Sequence, residues 1–358
     1  GPMGPVAVVN RRLNGELAQG GSVKSFRVSP DGDWAVYSAE QDIPRDGYEP
    51  QFTYGLYSVR LSGGRPVRLN VALPYPRAEV RGFEISPNSS HVVYHLDLDV
   101  TDLDAADELY SVPIGGGSSV QLSERSVLED YAIGPEGDGV VYVSDQEEDG
   151  VPELFGVPME GGTPVKLSGD MVSGGDVADV SAPVAISPDG SRVVYLADQE
   201  VDGRNDLFSV PTDGGTPTKL NGALVSGGNV TSGFRISPDG ARVIYGADQE
   251  TDEVFELYSV PIAGGTPVKL NGALVSDGDS SGFKVTPDGN RVVYRADQDS
   301  DDVYELFSVA ITGGPATKLN GPLVSEGDVH DFEIDPASSR VIYRANQELS
   351  GRALQRAP

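Results

Sequence analysis

Short runs of alternating apolar and polar residues, rich in β-branched and aromatic types, recur along this chain between clusters of Gly, Pro, Asn and Asp. In Val243-Ile244-Tyr245-Gly246-Ala247-Asp248-Gln249-Glu250-Thr251-Asp252-Glu253-Val254-Phe255-Glu256-Leu257-Tyr258-Ser259-Val260 an apolar run, an acidic tract and a second apolar run follow one another. The flanks read as paired strands and the middle as the turn between them. A fuller unit begins at Phe234 with a short strand A that ends in the turn Pro238-Asp239-Gly240. Strand B follows over Arg242–Ala247, strand C over Glu256–Pro261, a turn at Ala263-Gly264-Gly265, and strand D over Thr266–Leu270. The pattern therefore predicts four strands in one antiparallel sheet.

The strand-B tyrosine marks each copy: Tyr37, Tyr94, Tyr142, Tyr195, Tyr245, Tyr294 and Tyr343, spaced 48 to 57 residues apart. A four-stranded unit of this length in seven copies predicts an all-β, seven-bladed β-propeller of four-stranded antiparallel blades. The blades fall at approximately 22–70, 79–123, 127–168, 180–221, 230–271, 279–320 and 329–358. The seventh copy has a degenerate strand C, Ala353 to Pro358, and no strand D. The N-terminal Val9-Asn10-Arg11-Arg12-Leu13-Asn14-Gly15 matches the strand-D segment Pro267 to Gly272, so residues 5–14 are expected to complete the last blade and close the ring. Gly1 to Gly4 reads as a cleavage scar, and 5–358 as one domain.

Composition agrees with a turn-rich β chain: 45 Gly, 26 Pro and no cysteine among 358 residues. The absence of cysteine excludes disulfides and thiolate metal sites. No apolar run approaches the ~18–20 residues that span a bilayer. A net charge of −29 opposes binding to nucleic acid or an anionic membrane and favours cations or a basic protein surface.

The Ser-Pro-Asp-Gly turns (29–32, 187–190, 237–240), the Val-Val-Tyr and Val-Ile-Tyr strands, the Leu-Tyr/Phe-Ser-Val strands and the Gly-Gly-x-Pro-x-Lys-Leu strands together resemble the WD-like propeller repeats of the TolB type. The resemblance covers residues 5–358. It implies the propeller fold and a bacterial periplasmic or surface location. For function it leaves open a protein-binding platform, a docking or gating domain of a larger enzyme, and a polysaccharide-active propeller that uses the axial pore. A fold of this kind does not carry one activity with it.

More than half of the 55 acids lie in the B–C turns. In an up-and-down blade these emerge with the D–A turns on one face, which is therefore expected to be strongly electronegative. In blade four the acids are Asp198, Glu200, Asp202 and Asp206; in blade three Asp145, Glu147, Asp149 and Glu153. Blade five has Asp248, Glu250, Asp252 and Glu256, and blade six Asp297, Asp299, Asp301 and Glu305. The spacing resembles the calcium loops of integrin-type propellers. Ca²⁺ takes six to eight oxygens, and a tightly wound loop can turn alternate carboxylates toward one centre. Gly150 and Gly203 stand at the sixth position, where the turn is sharpest. Glu253 and Asp302 replace it in blades five and six, so blade four is the first place expected to hold an ion. The other reading of these acids is a set of solvated turns, since Asp, Asn and Gly favour turns for backbone reasons alone.

Blades one and two break the symmetry with enlarged connections. Tyr48, Phe52, Tyr54, Tyr75, Arg77 and Arg81 stand there as the candidate contact for a specific protein partner. The strand-B tyrosines and the strand-A phenylalanines Phe26, Phe83, Phe234, Phe283 and Phe332 read as core. The strand-D lysines read as guards of an exposed sheet edge. With only His91, His95 and His330, and no Gly-x-Ser-x-Gly elbow, the sequence is read as a monomeric, non-enzymatic binding module.

Overall fold

The computed structural model describes residues 11–18, 20–41, 54–72, 78–97, 107–123, 127–177, 184–276, 278–325, 327–348 and 351–357. Among them every regular element is a strand, so no helix is present that is long and apolar enough to cross a membrane. The strands form seven antiparallel sheets, six of four strands in sequential order and a last one of three. This is the sheet complement of a seven-bladed β-propeller. The last sheet pairs Val329–Ile334, Val341–Glu348 and Gly351–Ala357, so the degenerate seventh strand C is a full strand.

The chain divides into two compact units, Gly1–Asp149 with Val157–Pro164, and Gly150–Gly156 with Val165–Pro358. In the first unit, Arg11 to Gly15 lie against blade one as a strand D lies against the blade that follows it. A Cβ added to Gly63 would fall 2.3 Å from Nη1 of Arg11, just as one on Gly116 would fall 2.5 Å from Cγ1 of Val67. Gly15 donates its N–H to the Tyr37 hydroxyl at 3.3 Å, as Val71 does to Tyr94 at 3.1 Å. Residues 11–14 of the predicted closing segment are not a strand, the last sheet has three strands, and residues 5–10 and the scar lie outside the described residues.

Blade five shows how the local sequence makes a sheet. Tyr245 stands opposite Tyr258, and Tyr258 opposite Lys269. The two rings stack at 5.6 Å, and the same pair recurs at 5.4 to 5.6 Å in blades one, two, four and six. Such a cross-strand pair contributes ~0.5–1.5 kcal/mol beyond its buried area. All seven strand-B tyrosines are buried. Strand D is shorter than the sequence suggests, two residues in each of six sheets, and strand A is only two residues long in blades four and five.

Blade-to-blade packing in each unit rests on the strand-A phenylalanine. In the first unit Phe83 packs with Val36 and Leu56. In the second, Phe234 packs with Val194 and Leu207, Phe283 with Ile244 and Leu257, and Phe332 with Val293 and Leu306. Phe26 departs from the expected core role: it is 71% exposed.

Candidate functional site

The Asp198 carboxylate in the B–C turn of blade four accepts two backbone N–H bonds. Asp176 donates to Oδ1 at 2.5 Å and Gly203 to Oδ2 at 2.7 Å. At the far end of the turn the buried Asp206 accepts from Asn221 at 2.8 Å and pairs with Lys219 at 2.8 Å and Arg204 at 3.0 Å. Glu200 reaches the same Lys219 at 3.0 Å. Asp202 is exposed and lies over Gly174, where an added Cβ would meet its carboxylate at 2.8 Å. The turn thus splits its acids into one carboxylate on the backbone, two on a lysine and one toward solvent.

Blades five and six repeat the arrangement. Asp248 accepts from the N–H groups of Asn229 and Glu253, and Asp297 from those of Asp279 and Asp302. Lys269 bridges Glu250 at 2.7 Å and Glu256 at 2.8 Å, while Lys318 bridges Asp299 at 3.2 Å and also Glu305. Burial works against the charge of both lysines, but their carboxylate bonds outweigh it and hold each above its ordinary pKa. Asp252 lies over Gly227, and Asp301 is exposed. In blade three Glu153 pairs with Lys166, and none of Asp145, Glu147 and Asp149 is without a partner. The strand-D lysines, expected to guard an edge, are the centres of these clamps.

The backbone of the turn is the same with and without glycine. Gly150 and Gly203 have φ of +75° and +73°, and Glu253 and Asp302 follow at +61° and +59°. The left-handed conformation is thus imposed on residues that adopt it at a cost.

Calcium in these turns would draw on the same four carboxylates of each blade. Among the described residues no three Asp, Glu, His or Cys side chains are grouped as a metal requires. An ion in blade four would have to take Asp206 and Glu200 from Lys219, and Asp198 from two N–H donors.

Two further sets of residues join the blades. The D–A residues Asn229, Asp279 and Asp328 each accept an N–H from the preceding blade, from Asn205 at 3.0 Å, Phe255 at 2.7 Å and Tyr304 at 2.9 Å. Burial, followed by the nearby Asp297 charge, raises the Asp279 carboxyl above the usual range, against the Phe255 bond that lowers it. The glutamine after each first acid does similar work. Tyr195 and Tyr245 donate to Gln199 and Gln249 at 3.1 Å, and these amides also accept from Gly169 and Gly222 at the end of the preceding blade. The signal for it was present, because Asp-Gln recurs in blades three to six beside the acids that drew attention.

Of the candidate partner residues, Tyr48, Phe52, Tyr75 and Arg77 lie outside the described residues. Tyr54 is half-buried, with Lys24 4.7 Å above its ring. Arg81 is engaged within its own blade, with Asp97 at 2.7 Å and Asp107 at 3.1 Å. The histidines are dispersed: His95 is buried beside Tyr131, His91 lies 3.4 Å from Glu160, and His330 is bonded to Asn346. Burial, with Arg81 adding to it, lowers the His95 pKa to about 4.

Solved structures place this architecture among propeller proteins. The chain is similar to dipeptidyl peptidase 4 of Porphyromonas gingivalis at 13% identity and a TM-score of 0.59, over 92% of this chain and 51% of that one. It is also similar to TolB of Acinetobacter baumannii (14% identity, TM-score 0.38, 79% of this chain and 62% of that one). An oligogalacturonate lyase in complex with manganese matches at 13% identity and a TM-score of 0.43, over 92% and 87% of the two chains. The chain thus spans less than two thirds of the TolB and peptidase chains. No family model and no curated protein matches it. At 13% identity the likeness to the peptidase supports the β-propeller fold alone.

Proposed function

We propose that the chain is a non-enzymatic binding module that presents an ordered row of carboxylates to a basic protein surface. The observation that carries this reading is the repetition of one half-exposed acid in three successive blades of the second unit. The side chains of Glu200, Glu250 and Asp299 are 48%, 58% and 55% exposed, each held in place by the strand-D lysine of its blade. Pre-positioned charges of one sign speed encounter with an opposite surface and set its register. The triple variant Glu200→Gln/Glu250→Gln/Asp299→Asn should weaken binding of a lysine-rich peptide and flatten its salt dependence. Unchanged affinity and salt slope in that variant would overturn the reading.

Two further readings have specific support. The match to only half of a peptidase chain favours a docking or gating domain of a larger enzyme, and a catalytic domain encoded in the same gene would establish it. Calcium binding is favoured by the turn backbone, which is wound alike in blades three to six. The TolB-type resemblance supports a periplasmic or surface location for all three.

A further inference from the structure

Between the inner strands of blades five and six, in the second unit, lies a cavity of about 240 Å³. It opens where the blade-five strand A is interrupted. In blade six strand A runs over Ser280–Val285, but in blade five it is reduced to Arg235–Ile236. The residues before it turn aside, and Thr231 donates its N–H to the Gly246 carbonyl at 2.9 Å. Gly246 holds a strand-B position occupied by Leu196 in blade four and Arg295 in blade six, so no side chain enters from that strand. Gly233 leaves a further gap, because a Cβ added there would meet nothing within 4 Å.

The walls have a definite chemistry. Phe255 and Phe283 supply half-buried apolar surface. The exposed Arg235 has one guanidinium N–H on the Phe234 carbonyl at 2.7 Å, and among the described residues no acidic side chain pairs with it. On a chain of net charge −29, where Arg81 and Arg204 are bound by carboxylates, this guanidinium at a cavity mouth is available to an external anion. Ser280 and Thr231 spend their hydroxyl protons on the carbonyls of Phe255 and Gly246, so their oxygens face the cavity as acceptors.

We propose that this cavity binds a small organic carboxylate with an apolar body and an adjacent N–H donor. The carboxylate lies on Arg235, whose planar fork matches it. The body occupies the space between Phe255 and Phe283, and the donor meets the Ser280 or Thr231 oxygen. Pockets of this kind combine mostly apolar walls with a few placed polar groups. The inference does not depend on the acidic turns.

The probe is N-acetyl-phenylalanine, compared with its amide and with benzoate by calorimetry and by backbone NMR shifts. The acid should bind about tenfold more tightly than the amide, one charged pair's worth, with shifts at Thr231, Arg235 and Ser281. Arg235→Gln should erase the difference between acid and amide. Gly233→Leu should fill the cavity and abolish binding while the melting temperature holds; if that variant melts early, the Arg235→Gln comparison decides alone. Equal binding of acid and amide by the wild type, shifts elsewhere, or no binding of any probe at millimolar concentration would overturn the proposal.

Discussion

The backbone N–H of Asp31 donates to the hydroxyl of Ser89 at 3.1 Å, joining the A–B turns of blades one and two. Asp288 and Ser338 form the same bond at 3.0 Å between blades six and seven. These two serines occupy the turn position that is glycine in the other blades, and they hold it at φ of +59° and +56°. The local strain is thus offset by a bond between neighbours. Ser89→Ala keeps the strain and loses the bond, so a urea melt should show a loss of about 1 kcal/mol. Ser89→Gly removes both and should stay close to the wild type. A Ser89→Ala variant as stable as the wild type would refute this.

Glu253 and Asp302 adopt the backbone of Gly150 and Gly203 without an offsetting side-chain bond of this kind. Glu253→Gly and Asp302→Gly should each stabilise by about 0.5–1 kcal/mol, the left-handed penalty less the entropy that glycine adds to the unfolded chain. Gly203→Ala should cost a similar amount. Thermal melts of the three variants check the sign.

Lys219 neutralises the buried Asp206 and the half-exposed Glu200 together. Lys219→Met should destabilise by about 1–2 kcal/mol, less than a fully buried pair would lose, because Arg204 stays on Asp206. The same variant tests calcium. With Lys219 present, added Ca²⁺ should move the melting temperature little, whereas the variant should respond to Ca²⁺ and be reversed by EDTA. A saturable rise of several degrees in the wild type would show that calcium displaces the lysine and holds these turns.

Stability should fall at both ends of the pH scale. Asp288 is lowered to about 2 by bonds from Thr286 and Asn290, and Asp31, Asp189, Asp239 and Asp335 are lowered chiefly by bonds from neighbouring serines. A depressed carboxyl stabilises the fold above its unfolded value near 4, and that contribution is lost as the pH falls toward about 2. Asp279 runs the other way: raised by burial and by Asp297, it favours the fold more as it protonates. Asp279→Asn, which copies Asn229 of blade five, should therefore raise the melting temperature at neutral pH, with the gain shrinking in acid. At the alkaline end burial raises Tyr294 to about 12, and Lys269 and Lys318 are raised by their carboxylates. Both kinds of group stabilise below their unfolded values near 10 and lose that as the pH rises through the folded ones. Melts across pH, with carboxyl titrations by NMR, read each limb.

The seven strand-B tyrosines and the turns between them were legible from residue type and spacing, because a strand's period and a turn's glycine are local properties. The same spacing showed that the acids recur in the B–C turns of blades three to six, but their partners are remote in sequence or lie on the backbone. Asp198 meets the N–H of Asp176, Asp206 meets Lys219, and Asp279 joins Phe255 to Asp297. A row of carboxylates in the sequence does not show which lysines and N–H groups reach it, and only the tertiary structure brings those partners to Asp198 and Asp206. The cavity beside Gly233 and Gly246 was equally hidden. A glycine in the sequence does not say whether a neighbour fills the space it leaves, and at Gly233 none does.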